Sequence, residues 1–304
     1  MSYPKAYQRM AMQGNPSGFP EIFDPALKHY SRAFRLGDPE FPNTETRRAW
    51  YAARRQVVDH LLRLVAGSVW SGHLVLRGSL LLKAWLGDAA REPGDIDWVF
   101  RRAAIASDAP LAQELLADLQ TMAAFRRRIG NTVIQVERIT VDDIWTYERS
   151  SGRRIVFPWL ADDLPPGQVQ MDIVFREELL VDPFEMQIPS LSGGDSIRVW
   201  AATPELSLAW KLLWLQTDMY PQGKDLYDAT LLAEQTPLSL DLLHRVLLQS
   251  EDGKSYVPLD PEFPMLWDVD WEEFKREYPW VCGEAIDWKT RLTDALAPLF
   301  DSQP

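Results

Sequence analysis

Apolar positions recur at helical spacing from Thr44, where Val57, Leu61, Leu62, Leu64 and Val65 would share one face, with Thr46 as cap. The solvent side of that helix would carry Arg47, Arg48, Arg54, Arg55 and Arg63. The period then changes. Residues 73–77 form a short apolar run of buried-strand type, Gly78 and Ser79 interrupt it, and 80–86 reads as a short apolar helix closed by Gly87. Residues 95–100 predict the next strand although they begin with two acids, and 111–128 predict a helix ending on Arg126, Arg127 and Arg128. Strand patterns follow at 132–140, 154–160 and 168–175, and 197–201 would add an edge strand. Helical patterns then take over at 204–215 with Thr203 as cap, at 224–235, at 239–249 and at 284–299. A tryptophan- and proline-rich stretch, 256–280, reads as a connection. The expected fold is therefore α/β (α+β) in three parts: an irregular, proline-rich arm over 1–44, a core of mixed sheet and helices over 45–200, and a helical C-terminal domain over 201–304.

Charge refines this division. The chain carries a formal −12, and residues 200–304 hold 19 acids against 8 Lys and Arg, so the N-terminal two-thirds is nearly neutral. A polyanion would therefore meet that N-terminal part, since backbone affinity for nucleic acid comes from Lys and Arg. The single cysteine, Cys282, excludes a disulfide framework, a disulfide-linked partner and a cysteine-based zinc site, and the four histidines lack metal-ligand spacing. No run approaches a membrane span and residues 1–18 are too polar for a signal peptide, so a soluble, cytoplasmic protein without a membrane partner is expected.

Candidate chemistry begins at Gly78-Ser79, where a strand turns into a helix. Glycine lets backbone approach a ligand, and free amides at a helix start attract phosphate, although the same dipeptide also makes an ordinary tight turn. Asp95 and Asp97, two apart on a strand, would project from one face beside Trp98, Val99 and Phe100. Paired acids in such company call for a cation, and Mg²⁺ takes oxygen ligands; a solvent-exposed strand start is the plainer alternative. Asp172, between Met171 and Ile173, lies on the less apolar side of its strand and could meet that pair on a neighbouring strand. Three carboxylates around two metal ions suit phosphoryl or nucleotidyl transfer.

The order strand, Gly78-Ser79, helix, Asp95-Ile96-Asp97 and a downstream Asp172 resembles the polymerase-β-like nucleotidyltransferase superfamily. Within it, the chain resembles the AbiEii/AbiGii toxin nucleotidyltransferases of type IV toxin–antitoxin and phage-defence systems. Arg91, four residues before Asp95, and the segments 204–211 (PELSLAWK) and 224–231 (KDLYDATL) match motifs of that family. Two positions depart from its pattern: Pro93 where Ser or Thr is usual, and Gln222 where an arginine often precedes the Lys-Asp pair.

The resemblance implies an NTP substrate, two Mg²⁺ ions on Asp95, Asp97 and Asp172, and a nucleoside monophosphate passed to an acceptor such as a tRNA 3′ end. It also implies a cognate antitoxin. Gly78 and Ser79 would hold the β- and γ-phosphates, with Lys211 and Arg91 neutralising them, and Asp172 would assist deprotonation of the acceptor. Lys211 sits inside a largely apolar helix and must reach outward or find an anion. Asp225 would orient Lys211 or touch the nucleotide; equally, Asp225 and Asp228 near a helix start favour the helix dipole. Modification of a small molecule or a protein, and non-catalytic NTP binding by an interaction protein, remain open alternatives on the residues alone.

Overall fold

The computed structural model describes residues 21–23, 34–146, 150–218, 221–249 and 259–301. Much of the predicted arm therefore lies outside the described residues. Within it, β1 (Glu21–Phe23) and β2 (Phe34–Leu36) pair antiparallel, so the arm is not wholly irregular.

The long helix α1 (Thr44–Ala66) forms where the periodicity predicts it, with one difference at its start. Asn43, not Thr46, is the cap: its side chain accepts a hydrogen bond from the Thr46 amide. Arg54 also departs from expectation. It is buried, donating to the Gly94 carbonyl and lying over the Trp50 ring, because the 93–94 turn packs against this face of α1.

The main sheet has the order β10 (Phe184–Ile188), β11 (Ile197–Ala201), β3 (Leu74–Arg77), β4 (Asp95–Phe100), β9 (Gly167–Val174), β8 (Ser150–Ala161), β6 (Thr132–Ile134) and β5 (Arg128–Ile129), with β7 (Thr140–Thr146) also on β8. Strand β4 runs antiparallel to β3 and parallel to β9, which makes the sheet mixed as predicted. Three local expectations are corrected. The strand at 197–201 is interior, because β10 covers its outer side. The 132–140 run divides into β6, a 3₁₀ turn and the start of β7. Helix α3 (Pro110–Phe125) stops before the arginine cluster, since Arg128 already pairs with Val133 in β5–β6.

Helix α2 (Ser79–Leu86) follows β3 directly through Gly78. After the sheet come α4 (Pro204–Thr217), capped by Thr203 as predicted, α5 (Gly223–Ala233), α6 (Leu240–Leu248), α7 (Trp271–Glu277), α8 (Ala285–Leu296) and the short α9 (Pro298–Asp301). The buried apolar side chains form one cluster joining the sheet strands, α1 and α3 to α4, α5 and α8, so the sheet and the C-terminal helices share a core. No helix among the described residues is long and apolar enough to cross a membrane.

Candidate active site

Strand register places the acids. Asp97 on β4 lies directly opposite Asp172 on β9, and Asp95 is two residues back on the same side of β4. One carboxylate oxygen from each of Asp95, Asp97 and Asp172 falls within 4.8 Å of the others. Sequence reasoning named these three residues; the sheet brings them together.

The same row continues on both sides. Arg77 on β3 pairs with Asp97, and Arg154 on β8 pairs with Asp172, so the row reads Arg77, Asp97, Asp172, Arg154 across four strands. Burial first, and then the Asp95 and Asp172 charges, push the Asp97 carboxyl well above the usual carboxylate range, while Arg77 and Lys224 oppose the shift.

Gly78 shows why glycine stands between β3 and α2. Its φ of 78° and ψ of −152° belong to a region essentially reserved for glycine. A Cβ there would lie 2.2 Å from Asp97 Oδ2, so the carboxylate rests directly over the Gly78 backbone. Ser79 follows at the helix start, buried, with its hydroxyl 3.4 Å from Asp95 Oδ1. At the start of α2 the Leu81 and Leu82 amides bond back to the Gly78 carbonyl, so the amides without an intrahelical acceptor are those of Ser79 and Leu80. Gly78→Ala is expected to cost about 1–3 kcal/mol of stability in chemical denaturation and to displace Asp97, cutting activity at least about 100-fold.

A second, buried cluster lies beside the triad. Arg91 grips Asp228 with two nitrogens, Nε at 3.1 Å from Oδ1 and Nη2 at 2.9 Å from Oδ2. Lys211 Nζ donates to Asp225 at 2.7 Å and to Asp228 at 2.9 Å. Burial works against every charge here, but the pairing outweighs it: Asp228 holds its proton less tightly than usual, whereas Lys211 and Arg91 hold theirs more tightly. The sequence expectation aimed Lys211 and Arg91 at phosphates. The fold instead gives each a carboxylate, because Asp225 and Asp228 on α5 face the inner side of α4. Lys224, at the first turn of α5, is a different case. It is half-buried and close enough to act on Asp97.

Arg154 is the residue that sequence reasoning missed. Its Nε donates to Asp172 Oδ1 and its Nη2 to Asp172 Oδ2, both at 2.7 Å, and both side chains are buried. Arg77, the residue just before the Gly78 turn, is likewise enclosed: it pairs with Glu177 at 3.2 Å and lies over the rings of Trp210 and Trp214.

The chain matches the family model of the nucleotidyl transferase AbiEii toxins of type IV toxin–antitoxin systems over residues 59–281. It belongs to that family. Among solved structures, MenT4, a nucleotidyltransferase toxin from Mycobacterium tuberculosis H37Rv, shares the fold with a TM-score of 0.56. The two are 19% identical, and the similarity covers 84% of this chain and 86% of that one. No curated protein matches the chain in sequence. The AbiEii match spans the triad, the Gly78 turn and the Arg91–Lys211 cluster, so the converging acids lie inside the nucleotidyltransferase region. As an AbiEii nucleotidyltransferase toxin, the protein takes an NTP as substrate and has an antitoxin as its system partner.

Proposed function

We propose that this AbiEii toxin transfers a nucleoside monophosphate from an NTP to the 3′ end of a tRNA in a Mg²⁺-dependent reaction, releasing pyrophosphate, in the cytoplasm and as part of phage defence. Within that reading, 45–200 is the nucleotidyltransferase core and 201–304 the helical domain that completes the cleft. The observation that carries it is the meeting of Asp95, Asp97 and Asp172 within 4.8 Å at one end of β4. The donor set fits a hard divalent cation: three carboxylates, all oxygen, with Asp97 held protonated beyond its usual range by burial and by the Asp95 and Asp172 charges.

Asp95, Asp97 and Asp172 would hold the ions, and Mg²⁺ so bound would favour ionisation of the attacking hydroxyl and neutralise the triphosphate. The chain's own groups do the rest. The Gly78 turn brings the first amides of α2 and the Ser79 hydroxyl to the β- and γ-phosphates. Lys224, half-buried and close enough for its charge to act on Asp97, supplies a cation for the phosphates. Arg91 and Lys211 act from behind, fixing Asp225 and Asp228 and with them the position of α5. Asp172 assists removal of the acceptor proton with whatever lone pairs Arg154 leaves it.

An RNA acceptor is supported by Arg47 and Arg48, exposed at the start of α1. That end of the helix is tied to the site, because Arg54 and Arg55 on its next turns bind the 92–94 segment leading into β4.

Purified protein incubated with Mg²⁺, each α-labelled NTP and total tRNA is expected to put label into tRNA. Label in protein or a small product instead would keep the enzyme and change the acceptor. NTP binding without turnover would leave a non-catalytic NTP-binding protein and overturn the proposed reaction.

A further inference from the structure

The geometry points to Arg154 as a positioning residue for the cation site: its two-pronged hold on Asp172 sets the plane in which that carboxylate faces a divalent ion. This rests on the reading of the triad as such a site, and it concerns a residue outside the acidic motifs.

Strand register supplies the juxtaposition. Arg154 and Asp172 are direct partners across β8 and β9, as Asp172 and Asp97 are across β9 and β4, so all three side chains project to one face. An aspartate turns broadly about its terminal torsion when nothing holds it. Here two bonds of 2.7 Å, one to each oxygen, fix the carboxylate plane to the plane of the guanidinium. A carboxylate offers about four lone-pair directions, two on each oxygen. The fork takes one from each, and the oxygens so held still lie within reach of Asp95 and Asp97. The positive charge of Arg154, with that of Arg77 at the other end of the row, also offsets the triad before any cation arrives.

Lysine at 154 would keep that charge but, as a compact ammonium, cannot present two parallel donors. Arg154→Lys therefore separates orientation from charge. The probe is Mn²⁺ alone, without nucleotide, titrated against the full chain by electron paramagnetic resonance of the free ion, with circular dichroism to establish folding. Arg154→Lys is expected to weaken Mn²⁺ binding by about 10- to 100-fold, the range for a group that orients a metal ligand. In an Asp172→Asn background, where Asp95 and Asp97 keep residual binding, the same substitution should have no further effect. Should Arg154→Lys fail to fold, Arg154→Gln goes through the same cycle, and its effect must again disappear with Asp172→Asn. Wild-type affinity in Arg154→Lys, or an equal loss in both backgrounds, overturns the assignment. A wild-type protein that takes up no Mn²⁺ overturns the cation site itself, and is thereby told apart from a failure of Arg154 alone.

Discussion

Asp97→Asn is expected to abolish nucleotidyl transfer and yet to raise the thermal stability of the metal-free protein. Both effects come from one arrangement. Asp97 is crowded by Asp95 and Asp172, and burial with those two charges pushes its carboxyl well above the ordinary range. Folding therefore works against its ionisation. The sign follows from linkage: stability is fullest where Asp97 is protonated, and is lost as pH rises from the unfolded carboxylate value, about 3.9, through the raised folded value. At neutral pH an amide of the same shape removes that penalty, so Tm should rise by a few degrees without metal. Mg²⁺ should raise the Tm of wild type by more than that of Asp97→Asn, in which Asp95 and Asp172 keep only residual binding. Activity should fall by about 10³-fold or more, as the several kcal/mol contributed by metal-ion catalysis are lost. Scanning calorimetry with and without Mg²⁺, beside a label-transfer assay, reads all of this. A variant that keeps wild-type activity, or is no more stable than metal-free wild type at neutral pH, contradicts it.

The second large effect is structural. Lys211→Met is expected to destabilise the fold by about 3–5 kcal/mol, because it leaves Asp225 and part of Asp228 as buried charges without their partner. Adding Asp225→Asn should recover much of the loss, since the uncompensated carboxylate then disappears. A lysine used chiefly for phosphate would behave otherwise, losing activity at unchanged stability. The cluster also has a definite pH signature. Asp228 titrates below its usual value, so its contribution is present above about pH 4 and is lost as pH falls through the depressed folded value. Lys211 titrates above its usual value, so its contribution is full below about pH 10 and is lost as pH rises through the folded value. Denaturant midpoints measured from pH 3 to pH 10 should show the acid limb in wild type and a weaker one in Asp228→Asn.

Much of this was legible in the chain. Strand Asp95–Phe100 carries apolar residues dense enough to mark it, and Thr203 before Pro204 marks the start of α4 through its hydroxyl. The acids of the triad stand out because each lies in or at the start of an otherwise apolar strand, and that is visible locally. What was not legible depends on register. Arg154 meets Asp172 only because the β8–β9 hairpin pairs Trp159 with Gly167, a register set by the turn through Asp163 at a φ of 59°. The prolines and Gly167 announce a turn there, but not which residues face each other across it. Strand β10 was the signal passed over: its five residues alternate apolar and polar, as a strand's do, although most of them are exposed at the sheet edge. Lys211 was correctly singled out as a cation in an apolar helix. Orienting by Asp225, fourteen residues on, was one of two roles the sequence offered for that acid; packing of α4 on α5 shows the contact and adds Asp228 to it. Arg54 looked like a solvent-facing arginine for the same reason, since the 93–94 turn that buries it is distant in sequence.

The claim at the centre is that Asp95, Asp97 and Asp172 together hold the divalent ions beside the NTP. The most direct measurement is anomalous diffraction from crystals of the protein grown with Mn²⁺ and a non-hydrolysable NTP analogue. The account predicts Mn²⁺ peaks at ligating distance from all three carboxylates, with the triphosphate against the Gly78 turn and the start of α2. An analogue bound with its triphosphate elsewhere, or Mn²⁺ on other residues while the triad stays empty, would contradict it.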